Sequence, residues 1–260
     1  LLDVAFNHLS DQHPYFQDAR SNPASPYRDW FYFDHSEIGY RTFFGVETMP
    51  QLNVTHPAAR SWLLDVGRFW LREFDVDGYR LDVADGPGPS FWTDFWLACK
   101  NVKSDCLCFG EVVDAPDVQR QYIGRMDGLL DFHLGAALRY TYGTGQWTQA
   151  DFDRFYQRHL LHFPDNFLMV GFLDNHDMDR FLFIAGGDKV ALRRAAHILF
   201  DTPRVPVIFY GTEVGLNQVG STREGMGLHI SRVPMVWGDD QDQDLLTFFK
   251  ELIRKRRGLS

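Results

Sequence analysis

Six short, nearly continuous apolar runs punctuate the chain, and each is followed by a stretch of different periodicity. The runs are LLDVAF (1–6), VDGYRLDV (76–83), CLCFGEV (106–112), MDGLLDF (126–132), FLMVGFLD (167–174) and VPVIFYG (205–211). Strands buried on both faces of a parallel sheet read this way. The segments between them carry helical spacing. In residues 56–74, Trp62, Val66, Phe69 and Trp70 fall on one helical face, which predicts a helix that buries them. Residues 90–103 open with Ser90 in an N-cap position. Residues 188–200 and 244–258 are similar, and the last carries basic residues before Gly258, as a helix end prefers.

Strand then helix, repeated this often, predicts a parallel α/β architecture. Polar clusters stand at the C-terminal ends of four runs: Asn7-His8, Arg80 with Asp82, Glu111, and Asp174 through Asp177. An open doubly wound sheet concentrates its site at one crevice, and no glycine-rich loop follows the first run. A (β/α)8 TIM barrel places its chemistry at the C-terminal ends of many strands, so the barrel is the better expectation. Six units stand against the eight of a complete barrel, so the barrel is read as incomplete. Leu1 opens inside an apolar run without a methionine, and the missing units are expected before it.

Residues 9–55 interrupt the alternation. They are rich in Pro, Asp and aromatics, and include Trp30, Phe31, Tyr32, Phe33, Tyr40, Phe43 and Phe44. A weakly periodic connection this long predicts a subdomain inserted into a barrel made of 1–8 and 56–260. Most of its rings are expected to form a small core, with one or two lining a cleft. The formal net charge of −9 argues against a nucleic-acid partner. Cys99, Cys106 and Cys108 fit neither a disulfide framework nor a zinc pattern and read as small buried hydrophobes, which leans toward a reducing, cytoplasmic setting. No stretch is long and apolar enough to span a membrane.

Within GYRLDVAD (78–85), Arg80 and Asp82 are two residues apart on a strand, so they share a face. Asp82, Glu111 and Asp177 each end a predicted strand. Gathered on one rim, such carboxylates repel and lose hydration unless cations compensate. One ionised and one protonated carboxyl are what glycoside hydrolysis needs. Metal binding is the rival reading of the same groups. His13, His35 and His56 lack motif support and are expected at the surface.

LLDVAFNH (1–8), GYRLDVAD (78–85), FGEVVD (109–114) and FLDNHD (172–177) resemble, in order, the four sequence blocks of the α-amylase family of glycoside hydrolases, family 13. MPQLN (49–53), YRDWFYF (27–33), the arginine closing NHDMDR and IFYGTEVG (208–215) resemble its neopullulanase and cyclomaltodextrinase branch. The resemblance implies that Leu1 lies near the third barrel strand. It implies a nucleophile at Asp82, a general acid and base at Glu111, and at Asp177 a group that holds the hydroxyls of the strained sugar. It makes Arg80 the residue that orients Asp82 and keeps it ionised. His8, His176 and Arg180 become substrate contacts, although Arg180 could instead pair with a nearby carboxylate. Asp3 would brace Arg80 in a buried ion pair, and Asn7 would brace the loop after the first run. No cofactor is implied; calcium at Asn7 stays open.

The implied function is retaining hydrolysis of α-1,4-glucosidic bonds in starch-like α-glucans, maltooligosaccharides, pullulan or cyclodextrins. Glucanotransfer and an inactive sugar-binding relative are the alternatives. The same branch implies a longer parent able to form a homodimer through an N-terminal domain. Three positions depart from the family: Asp85 and Gly86 replace a Lys-His or Asn-Glu pair, and Val112 replaces a tryptophan. They fall on the acceptor side, where linkage preference is set.

Overall fold

Strand β1 (Leu2–Ala5), helix α1 (Pro14–Ser21), helix α2 (Pro57–Phe74) and strand β2 (Gly78–Asp82) open the chain in a computed structural model that describes residues 1–258. Helix α3 (Gly88–Lys100), β3 (Leu107–Gly110), a short α4 (Pro116–Gln119) and β4 (Gly128–Leu130) follow. Then come α5 (Phe132–Leu138), α6 (Gln149–His162), β5 (Leu168–Phe172), a short α7 (Phe181–Ile184), α8 (Lys189–Asp201), β6 (Val205–Val207) and α9 (Gln243–Arg256). The chain forms two compact units, one ending at Leu129 and one from Leu130 onward. Among the described residues no helix is long and apolar enough to cross a membrane.

In the first unit β1, β2, β3 and β4 pair in sequence order, all parallel. Strands β2 and β3 are buried almost throughout, as their unbroken apolar runs predict, whereas β1 alternates half-buried and exposed residues. Helix α2 differs from the sequence expectation. Its buried residues are Ala59, Leu63, Gly67 and Leu71, not the Trp62–Trp70 face. Small residues decide this. A Cβ on Gly67 would lie 2.5 Å from the Phe95 ring of α3, so the bare backbone is what lets α3 approach. The rings of Phe69, Trp70 and Phe74 instead cluster with one another, Phe69 and Phe74 being exposed. Ser90 is not the N-cap of α3; the helix starts two residues earlier, at Gly88, and Ser90 accepts from Arg60.

Residues 9–55 are packed. Phe16, Trp30, Phe31, Tyr40 and Leu52 are buried there, and Phe16 contacts the rings of Phe31 and Tyr40 at 4.9 Å each. Bridges tie Phe31 to Leu52, Phe33 to Tyr40 and Thr42 to Pro50. His13 and His56 are half-buried rather than superficial: His13 caps α1 by accepting from Tyr15 N, and His56 precedes the first residue of α2. His35 is exposed.

In the second unit β5 and β6 pair parallel, and Asp131, just past β4, donates its N–H to Val170 O on β5. Leu134, Leu138, Phe181, Leu192, Leu199, Leu245 and Phe249 form its core. Asp188 and Asp242 cap α8 and α9, and Gly258 takes the left-handed conformation (φ 63°) after the basic last turn of α9. All three cysteines are buried and free.

Candidate active site

Strand register assembles the first cluster. Asp3 of β1 lies opposite Arg80 of β2, and Ala5 opposite Asp82. Leu81 lies opposite Gly110 of β3, which puts Glu111 beside Asp82. Arg80 then reaches three carboxylates at once. Its Nη1 donates to Asp3 Oδ1 at 2.9 Å and to Asp82 Oδ1, and its Nη2 meets Glu111 Oε2 at 2.8 Å. Burial works against the Arg80 charge, but Glu111, Asp3 and Asp82 outweigh it and raise its pKa. Asp3 braces Arg80 as expected, though from an exposed position (57%) and not as a buried pair. The sequence linked Arg80 only to Asp82 and Asp3; its grip on Glu111 is an additional finding.

Glu111 is the unusual acid of this cluster. Its pKa is pushed up to about 7, chiefly by burial and further by the neighbouring Asp82. Arg80 and the Val83 N–H, 3.3 Å from Oε2, pull the other way. Val83 holds that N–H in place at φ 45°, a left-handed conformation that a β-branched residue rarely adopts. The main chain clamps the same turn: Glu111 N donates to Leu81 O at 2.8 Å, and Ala84 N to Glu111 O at 2.9 Å.

His8 lies beside this cluster, half-buried and stacked on Phe43 at 4.9 Å between centroids. Burial lowers its pKa despite the nearby Asp82. Asn7 does brace the loops, as expected: its C=O accepts from Leu52 N at 2.9 Å, and its side chain abuts Gly86. A Cβ on Gly86 would fall 2.2 Å from Asn7 Oδ1. The glycine that departs from the family pattern is therefore required by this placement of Asn7. The calcium candidate finds no support here. Asn7 Nδ2 faces His8 Nδ1 at 3.5 Å, and among the described residues no three His, Cys, Asp or Glu side chains converge as metal ligands.

In the second unit the chain leaving β5 carries Asp174 through Arg180. Asp177 uses both carboxylate oxygens: Oδ1 accepts from Arg232 Nη2 at 2.8 Å, and Oδ2 lies 3.1 Å from His176 Nε2. Its N–H donates to Asn175 Oδ1 at 2.9 Å. Arg232 also donates through Nε to His176 O at 2.8 Å. Arg232 and Asp177 stand 55 positions apart, and no periodicity in the sequence connects them.

Arg180 corrects the sequence reading. It is fully buried (0% exposed), donates Nε to Ser231 O and Nη1 to Tyr210 O, each at 2.9 Å, and packs against the rings of Phe209 and Tyr210. It pins loops rather than offering its guanidinium to a ligand. Its neighbour Asp179 does the same by accepting from Gln218, Ser221 and Thr222, each at 2.7 Å. Asp174, wholly buried, accepts from Phe181 N and Thr212 Oγ1; burial pushes its pKa up.

Residues 1–254 match the family model of the alpha-amylase catalytic domain, and the chain belongs to that family. It is 35% identical over 260 residues to Alpha-amylase 2 of Dictyoglomus thermophilum, covering 99% of this chain and 46% of that one. It is 36% identical over 273 residues to a cyclomaltodextrinase of Geobacillus thermopakistaniensis, covering 99% of this chain and 44% of that protein. A solved cyclomaltodextrinase structure superposes with a TM-score of 0.89 at 29% identity, over 98% of this chain and 45% of its own. The chain thus spans about half the length of the curated relatives it matches.

Proposed function

We propose that this chain carries the catalytic centre of a retaining hydrolase of α-1,4-glucosidic bonds. The observation that carries the reading is one guanidinium, that of Arg80, reaching both Asp82 and Glu111, with Glu111 pushed up to about 7. Two carboxyls this close suit a covalent glycosyl-enzyme better than a water held between them. Glu111, entering protonated, gives its proton to the glycosidic oxygen as the C1–O bond breaks. Asp82, ionised against Arg80, forms the new bond to C1. Glu111, now a carboxylate, takes a proton from water as that water attacks C1 and releases Asp82. Asp177 takes the role of holding the hydroxyls of the sugar, and His8 and His176 those of neutral donors.

The fold reading belongs to the same proposal: a (β/α)8 barrel, with residues 9–55 as a subdomain after its third strand. The substrates proposed are those in the relatives' names, cyclodextrins among them, together with maltooligosaccharides, starch and pullulan. A homodimer of the longer protein is part of the reading.

The test uses the protein at its full natural length. Glu111→Gln should nearly abolish starch cleavage yet still form the glycosyl-enzyme from α-glucosyl fluoride, whose leaving group needs no proton. Azide should then give the α-configured glycosyl azide. Asp82→Gly should give the β-azide, because azide can enter only the vacated face. Asp177→Asn should gain nothing from azide. A β-azide from Glu111→Gln, by NMR, would overturn the assignment. The product sizes from maltoheptaose separate hydrolysis from glucanotransfer.

A further inference from the structure

Most rings of residues 9–55 are spent on packing, but Phe44 is 89% exposed. It is held there against two costs. An exposed phenyl ring gains nothing from burial, and Phe44 sits at φ 48°, a left-handed conformation unfavourable to a bulky side chain. The turn that holds it is ordered. Val46 N donates to Phe43 O at 2.9 Å, and Phe43 N and Met49 N donate to Met49 O and Val46 O. Leu9 N and Asp11 N, immediately after His8, donate to Pro50 O and Thr48 O at 3.0 Å each. The turn is therefore fastened to the chain that carries His8.

The rings form a line. His8 stacks on Phe43 at 4.9 Å with 18° between planes, and Phe43 meets Phe44 at 4.5 Å and 53°. The inner end of the line feels the Asp82 charge, and the outer end stands in solvent. A glucose ring has an apolar face of C–H groups and a rim of hydroxyls, so an open aromatic face suits it, as it suits other flat amphipathic ligands. We propose that Phe44 is a sugar-stacking residue, a platform for a glucose unit of the α-glucan beyond the unit that His8 contacts. Resting on the hydrolase reading, it sharpens it: Phe44 sets a preference for longer glucans and takes no part in bond making.

The experiment compares wild type, Phe44→Ala and Phe44→Trp in the full-length protein on α-glucosyl fluoride and on maltoheptaose. Phe44→Ala should lower kcat/KM for maltoheptaose on the order of tenfold, through KM, and leave the fluoride unchanged. Phe44→Trp should restore maltoheptaose turnover. In Phe44→Trp combined with Glu111→Gln, saturating maltoheptaose should quench emission relative to Glu111→Gln alone, a readout that does not depend on the alanine variant folding. If wild type cleaves maltoheptaose and Phe44→Ala matches it, or loses both substrates equally, or the emission does not respond, the platform is overturned and the hydrolase reading stands. If wild type cleaves neither substrate, the hydrolase reading falls and takes the platform with it.

Discussion

Two buried arginines, one in each unit, follow the same covalent chemistry to opposite ends. Arg80 gives its donors to Asp3, Asp82 and Glu111. Arg180 gives its donors to the backbone carbonyls of Ser231 and Tyr210 and rests on Phe209 and Tyr210. A guanidinium facing carboxylates sets the charge balance of reacting groups, so its loss changes chemistry. A guanidinium facing carbonyls satisfies dipoles that carry no titratable proton, so its loss changes only how firmly the loops are held. Proximity to a family motif does not distinguish the two cases; the partner atoms do.

The largest effect expected on the Arg80 side is from Asp82→Asn, which removes the nucleophile and should cut starch cleavage by at least about 10⁴-fold. Initial-rate measurements check it, and retention of more than a few per cent activity would break the comparison at its root. Next comes Arg80→Met. Breaking a buried pair costs about 3–5 kcal/mol, which a urea midpoint reads. Because Arg80 pulls the Glu111 pKa down, its removal should also move the basic limb of the pH–kcat/KM profile to higher pH.

Arg180→Met is the matched experiment. It should destabilise by about 2–4 kcal/mol, through orphaned carbonyls, and leave the pH limbs where they were. A shifted limb would mean that Arg180 also acts on the reacting groups. Glu111 sharpens the contrast through linkage. Its folded pKa is raised from 4.5 to about 7, so the fold favours the neutral acid. Below 4.5 both states are neutral and nothing is lost. Stability then falls as pH rises from 4.5 to about 7, and is flat above. Glu111→Gln removes the penalty, so its Tm should gain on that of wild type by a few degrees between pH 5 and pH 8 in calorimetric scans. The smallest effect is at Arg232, whose pair with Asp177 is partly exposed. Arg232→Ala should change stability by less than about 1 kcal/mol and lower kcat by less than about fivefold.

The sequence by itself determined the alternation of strand and helix, because apolar runs and 3.6-residue spacing are local signals. It also determined which residues carry the chemistry at the strand ends. Arg80 and Asp82 could be read as sharing a face because the strand period is local too. Only the tertiary structure decided the partners. The helix face of α2 was misread because Ala59 and Gly67 carry little hydrophobic weight, yet close approach to Phe95 requires small residues. Arg180 and Arg232 were not legible because hydrogen bonds to Ser231 O and Asp177 Oδ1 span 51 and 55 positions, and leave no periodic trace. The Glu111 pKa likewise depends on burial and on the Asp82 neighbour that strand register supplies. Residue identity fixes what a group can do; the packing around it fixes the dielectric and the charges that decide whether it does.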